Sequence, residues 1–166
     1  DQRISGQVNK ADYKPKTFQS ELEARGRLTV EECLKYGAHL ARSLAYLHDQ
    51  NLVHRDVKPS NIVYVNGIPK LADIGLITNR DNSSTLVGTI GYIPPEGPGK
   101  PSSDLYALGI VLYELSTGKD RAEFPEIDLL DPALKGLNQF FLKACSNDLN
   151  ERFKDGHEMA RHLDTL

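Results

Sequence analysis

LVHRDVKPSNIVYVNGIPKLADIG, residues 52–75, decides how this chain folds and where its chemistry sits. Asn66-Gly67 lies between the apolar runs IVYV and IPKLA. Both residue types tolerate positive φ, so the dipeptide predicts a two-residue type I′ hairpin turn. Counting outward from the turn, Val65 faces Ile68, Asn61 falls opposite Ala72, and Asp73 is one step beyond. The hairpin therefore brings Asn61 and Asp73 side by side from positions twelve residues apart. An amide oxygen and a carboxylate form a hard, oxygen-only pair. Magnesium takes one or two protein ligands of this kind and completes its octahedron with water and phosphate oxygens. Pro69 has no N–H to give a ladder, which predicts one unpaired side for its strand.

Asp56 precedes Asn61 by five residues, in HRDVKPSN. A carboxylate placed that close to a metal and phosphate site can orient a hydroxyl nucleophile and accept its proton. Lys58 can offset charge on a transferring phosphoryl group, and Pro59 stiffens the loop between them. Taken alone, an Asp-Asn pair at a hairpin end is an ordinary turn device. The combination carries the argument: HRDxKPxN, then a hairpin, then DxG at the distance the turn requires.

The rest of the chain is consistent with one compact domain. It has 166 residues, of which 39% are hydrophobic and 26% charged, with a net charge of −3. A chain of this size buries roughly 70% of its unfolded surface. The basic pairs Lys14/Lys16 and Arg25/Arg27 are isolated and read as solvated surface, which argues against a nucleic-acid partner. Cys33 and Cys145 lie far apart without CxxC spacing and read as free, partly buried thiols of a reducing compartment. No apolar run approaches the ~20 residues of a membrane span. No signal peptide opens the chain, so the expected location is cytoplasmic, with room for a membrane anchor elsewhere in a parent protein.

Residues 1–16 are polar and read as a linker. FQSELEARG, 18–26, predicts a short helix stopped by Gly26. Thr29 with Glu32 forms a capping box ahead of a helical stripe at 30, 33, 34, 40, 41, 44 and 47. Residues 76–103 read as a loop. Residues 103–118 read as a helix with apolar positions at 105, 108, 111, 112 and 115 and a terminal glycine. Asp131-Pro132 opens a helix to about Cys145. Asp155 with Glu158 reads as a second capping box before the last helix.

At these residues the chain resembles the serine/threonine protein kinases, and its tone is similar to bacterial kinases of eukaryotic type. HRDVKPSN looks like the catalytic loop, with Val57 where Leu is usual. DIG, 73–75, looks like the magnesium-binding DFG motif with Ile74 for Phe. GTIGYIPPE, 88–96, looks like the substrate-facing loop leading into APE, with Pro94 in the Ala position. DLYALG, 104–109, resembles DxWxxG with Tyr106 for Trp. The resemblance runs from about Leu28 to the C-terminus.

The resemblance implies roles. Asp56 would be the catalytic base and Lys58 would contact the γ-phosphate of ATP. Asn61 and Asp73 would hold Mg2+. His54 and Ile74 would belong to the buried spine behind the site. Thr89 would lie against Asp56 and Lys58 and favour Ser or Thr as acceptor. Asp104 would hold the catalytic loop through backbone N–H groups, and Arg152 would pair with Glu96. Arg55 marks the subclass often switched by phosphorylation. A phosphate on Thr85 would pair with Arg55 and order the loop; mapping phosphate on residues 83–85 is the direct test.

The implied fold is mainly α within an α+β family: a kinase-like C-terminal lobe at 17–166, a helical bundle with a small β-hairpin at the catalytic site. The upper wall of the nucleotide site needs a glycine-rich loop, a strand Lys and a helix Glu. The sequence shows no GxGxxG and no VAIK-like strand, and the Gly97/Gly99 pair reads as a turn. The expectation is a chain that begins after the hinge, with the N-terminal lobe absent and the fragment inactive alone. The parent would transfer the ATP γ-phosphate to Ser or Thr of protein substrates. A pseudokinase scaffold on the same fold is the alternative, and a small-molecule phosphotransferase is disfavoured by the GTxGYxxPE loop. The segment after Gly118 is short and contains Pro, which predicts a reduced helix there.

Overall fold

A computed structural model of the chain describes residues 13–73, 78–79 (backbone only) and 88–166. Ile74 and Thr85, and most of the 1–16 linker, lie outside the described residues.

Helix α1 (Phe18–Arg25) is capped by Thr17, whose hydroxyl accepts from the Ser20 N–H, and ends at Gly26 with φ 78°. Helix α2 (Val30–Asp49) begins with the expected capping box: Thr29 accepts from Glu32 N–H, and the Glu32 carboxylate accepts from Thr29 N–H. Its buried face runs Cys33, Gly37, Leu40, Ala41, Leu44, Ala45 and His48, a spacing of three and four residues that keeps one stripe inward. Arg25 bridges α1 to α2 through two hydrogen bonds to Glu32 of 2.9 and 2.8 Å.

The hairpin forms as counted. Strand β2 (Ile62–Val65) pairs antiparallel with β3 (Ile68–Leu71), in the register Val65 to Ile68 and Ile62 to Leu71. Asn66 and Gly67 have φ of 51° and 76°, the sign a type I′ turn demands at both positions. Pairing extends past the strands, with Ala72 N–H donating to Asn61 C=O at 2.8 Å. The outer side of β2 is covered by Lys16 and Thr17: Tyr64 N–H donates to Lys16 C=O, and Thr17 bridges Val63. The outer side of β3, which carries Pro69, pairs with no strand among the described residues.

The 76–103 region is not entirely loop. Strand β1 (Leu52–Val53) pairs antiparallel with β4 (Thr78–Asn79), so the chain after Asp73 returns to the strand that leads into His54. Two-residue strands carry no periodicity, which is why the sequence does not reveal them.

Helix α3 (Pro101–Thr117) starts two residues earlier than the sequence suggests, with Pro101 at a first-turn position, and ends at left-handed Gly118. Nearly every side chain from Ser103 to Ser116 is buried. The helix is therefore the axis of the core rather than an amphipathic surface helix. Beyond it a short 3₁₀ turn at Arg121–Glu123 replaces a longer helix. Helix α4 (Pro132–Ala144) is capped by Asp131.

Helix α5 (Gly156–Thr165) corrects an expectation. Asp155 caps it by accepting from Glu158 N–H. The Glu158 carboxylate does not return to Asp155; it accepts from Lys154 N–H at 2.6 Å and from the Lys143 ammonium at 2.9 Å. Only half of the capping box exists, because both Glu158 oxygens are engaged elsewhere, one by the Lys154 backbone and one by the cation on α4. A Cβ on Gly156 would stand 2.3 Å from the Ala41 carbonyl oxygen, so glycine is what lets the start of α5 touch the α2 backbone.

The core joins α1 through α5 around Phe18, Leu40, Leu44, Leu108, Leu112 and Phe140. Cys33 and Cys145 are free and more deeply buried than expected. Burial pushes the Cys33 thiol up to about 12. No helix among the described residues is long and apolar enough to cross a membrane.

Candidate active site

The loop from His54 to Asn61 is fastened from below by one carboxylate. Asp104, in the first turn of α3 and 2% exposed, accepts from His54 N–H and Arg55 N–H, each at 2.9 Å. His48 on α2 places its Nε2 2.8 Å from the same side chain. An ionised carboxylate that accepts two consecutive backbone N–H groups holds the main chain firmly. The fastening also sustains Arg55 at φ 75°, a left-handed conformation costly for a residue with a Cβ.

His54, 0% exposed, ties the loop to the end of the hairpin. Asp56 N–H donates to Nδ1 at 3.3 Å, so Nδ1 is the acceptor. Nε2 then carries the proton and donates to Ala72 C=O at 2.8 Å. The imidazole is thus a neutral spacer between Asp56 and the residue that precedes Asp73.

The Asp56 carboxylate is 7% exposed and gathers three side chains. Oδ1 accepts from the Thr89 hydroxyl at 2.8 Å. Oδ2 accepts from the Asn61 amide at 3.0 Å and lies 3.4 Å from the Lys58 ammonium. Lys58 also donates to Thr89 Oγ1 at 2.9 Å. The Asn61 amide nitrogen is shared with the Asp56 carbonyl at 2.9 Å, so its amide oxygen is the atom left for a cation. Asp73 follows Ala72 with φ 59° and an exposed side chain.

The donor set fits a hard divalent cation: an amide oxygen and a carboxylate at one hairpin end, with oxygens only. Among the described residues no cluster of three or more His, Cys, Asp or Glu could hold a metal unaided.

The loop that brings Thr89 to Asp56 is anchored at its far end. Glu96 meets Arg152 in a two-pronged pair of 2.5 and 3.0 Å. The Arg152 guanidinium also lies 5.0 Å over the Tyr106 ring, and its Nε donates to Ser146 C=O. Sequence reasoning missed other contributors. Nothing local marks His48, Tyr92, Glu114 or Arg121 as partners, because they meet only in the folded chain.

Residues 11–160 match the family described as the protein kinase domain. The chain belongs to that family. It is similar to the serine/threonine-protein kinase PrkC of Bacillus subtilis, 29% identical across 90% of this chain and 27% of that protein. It is similar to the serine/threonine-protein kinase PknA of Corynebacterium glutamicum, 32% identical across 84% of this chain and 34% of that protein. A plant relative, the 3-phosphoinositide-dependent protein kinase 1 of Arabidopsis thaliana, is 33% identical across 63% of this chain and 26% of that protein. The chain thus spans between 26% and 34% of the length of these relatives. The resemblance to serine/threonine kinases of the bacterial type holds over most of its residues.

Proposed function

We propose that this chain is the C-terminal lobe of an ATP-dependent serine/threonine protein kinase, residues 17–166, preceded by a post-hinge segment at 1–16. The observation that supports it most directly is the Asp56 cluster, in which one carboxylate meets Thr89, Lys58 and Asn61 on a loop fastened by Asp104.

In this reading a substrate hydroxyl enters beside the Thr89 hydroxyl, within reach of the Asp56 carboxylate. Asp56 orients that hydroxyl and takes its proton as the oxygen attacks the γ-phosphorus of ATP, while the bond from that phosphorus to the β-phosphate oxygen breaks and ADP leaves. Lys58 lies between Asp56 and Thr89 and offsets charge on the phosphoryl group in transit. Asn61 and Asp73 would hold Mg2+, which would supply positive charge to offset that of the nucleotide phosphates. Thr89 narrows the acceptor to Ser or Thr, and Arg55 is the partner for a phosphate at Thr85.

The sequence holds no glycine-rich loop and no strand lysine, so in this reading the upper wall of the ATP site comes from residues outside these 166. The isolated chain would then transfer no phosphate at an appreciable rate. The test uses protein expressed with its natural flanking sequence. Labelled phosphate is expected to move from ATP to a Ser/Thr substrate, and Asp56→Asn is expected to slow transfer by about 10²–10⁴ while nucleotide binding persists. Transfer that survives Asp56→Asn unchanged would overturn the assignment.

A further inference from the structure

The substrate-facing loop is held by side chains that the reaction above does not use. Glu114 lies near the end of α3 and is 6% exposed. The Tyr92 hydroxyl donates to its Oε2 at 2.6 Å. The Arg121 backbone N–H donates to Oε1 at 3.1 Å, and the Arg121 guanidinium is 3.7 Å from the same oxygen. Burial raises the Glu114 carboxyl above the usual carboxylate range, and these donors oppose that shift.

Arg121 reaches from this carboxylate to the loop itself. Its Nε donates to Ile90 C=O at 3.2 Å, and its guanidinium lies 4.9 Å over the Tyr92 ring. Between them is Gly91, at φ 94°. A Cβ there would stand 2.2 Å from Arg121 Nε and 2.5 Å from its Cδ. The Arg121 side chain therefore occupies the space that any other residue at 91 would need. Ile90, Gly91 and Tyr92 are each engaged by one arginine, and the residue before them is Thr89, which meets Asp56 and Lys58.

Arg121 departs from the rest of its surroundings in purpose. It caps nothing in its own 3₁₀ turn, where Asp120 and Glu123 do that work. Its side chain is 34% exposed, so packing alone does not explain its placement. Its guanidinium instead lies 3.7 Å from the buried Glu114 carboxylate and 3.9 Å from the exposed Asp120, and its Nε donates to one carbonyl of the loop.

We propose that Arg121 is a positioning residue: by clamping Ile90–Tyr92 onto Glu114 it sets where Thr89, and with it a substrate hydroxyl, stands against Asp56. The substrate half of this statement rests on the kinase reading; the clamp does not.

Two variants separate the parts. Arg121→Met keeps an unbranched stem of similar bulk and removes the charge and donors; Arg121→Lys keeps the charge and loses the planar fork. In the 166-residue chain, hydrogen–deuterium exchange reads the clamp. Arg121→Met is expected to speed exchange of the Tyr92 amide, which donates to Thr89 C=O, by about 10-fold while α2 and α3 stay protected. Arg121→Lys is expected to fall between. In the protein with its natural flanking sequence, Arg121→Met is expected to raise KM for the protein substrate several-fold at constant KM for ATP.

Unchanged protection at 89–92 in Arg121→Met overturns the clamp. So does a loss of protection spread equally over α2 and α3, which would mark general destabilisation. If Asp56→Asn removes no phosphotransfer, the kinase reading fails while accelerated exchange at 89–92 still upholds the clamp. If transfer depends on Asp56 but Arg121→Met leaves KM for the protein substrate unchanged, the positioning role fails alone.

Discussion

Asp104 touches no reacting atom in the scheme above, yet its two oxygens face the consecutive N–H groups of His54 and Arg55 as well as His48. An amide at this position has one acceptor oxygen and an NH₂ that would point at a donor. Asp104→Asn is therefore expected to lower the unfolding free energy by about 2–4 kcal/mol, because a buried donor loses its partner. Urea unfolding checks it; a loss below about 1 kcal/mol would mean that the loop is held by something else. The position of Asp104 in DLYALG was legible through the family pattern. His48 was not, since a histidine at the end of an amphipathic helix carries no local sign of a partner 56 residues away.

At the scale of elements, local signals told most and tertiary ones least. Thr29 with Glu32, Asp131 with Pro132 and Asn66 with Gly67 each act on neighbours in sequence, and each cap or turn formed. Glu158 is not the second half of a box: one of its oxygens accepts from the Lys154 N–H, one residue ahead of the cap, and the other from Lys143 on another helix. The all-round burial of α3 was likewise invisible until its neighbours were in place.

The α1–α2 joint gives a pH test. Hydrogen bonds from Arg25 are the main cause that holds the Glu32 carboxyl down at about 2, from an ordinary 4.5. A depressed carboxyl contributes stability that is whole above its unfolded value and lost as pH falls through its folded one. Glu32→Gln is thus expected to flatten the acid limb of the stability curve between about 4.5 and about 2. The pair is partly open to water, so the amplitude should stay below about 1 kcal/mol. Thermal melts across that interval, wild type against variant, read the difference.

Across the whole molecule, the long-range pairing of Glu96 with Arg152 was legible only because two motifs resembled a known pattern; no periodicity links residues so far apart. The Arg121 clamp had no such pattern to announce it. The Ile74 and Thr85 readings lie outside the described residues, so their roles rest on sequence alone. The Glu96–Arg152 pair also divides the charges of the protein by their response to salt. The Arg152 side chain is 1% exposed, whereas Arg42 in its pair with Asp164 is 53% exposed. Mobile ions screen through water, over ~10 Å at 0.1 M and ~3 Å at 1 M. Arg152→Ala should therefore cost about 3–5 kcal/mol at either concentration. Arg42→Ala should cost below about 1 kcal/mol in dilute buffer and less in brine. A salt titration of the two variants checks this. If it holds, the tether between the 88–96 loop and the chain ahead of α5 keeps its strength when the ionic surroundings change, while the contacts at the rim weaken.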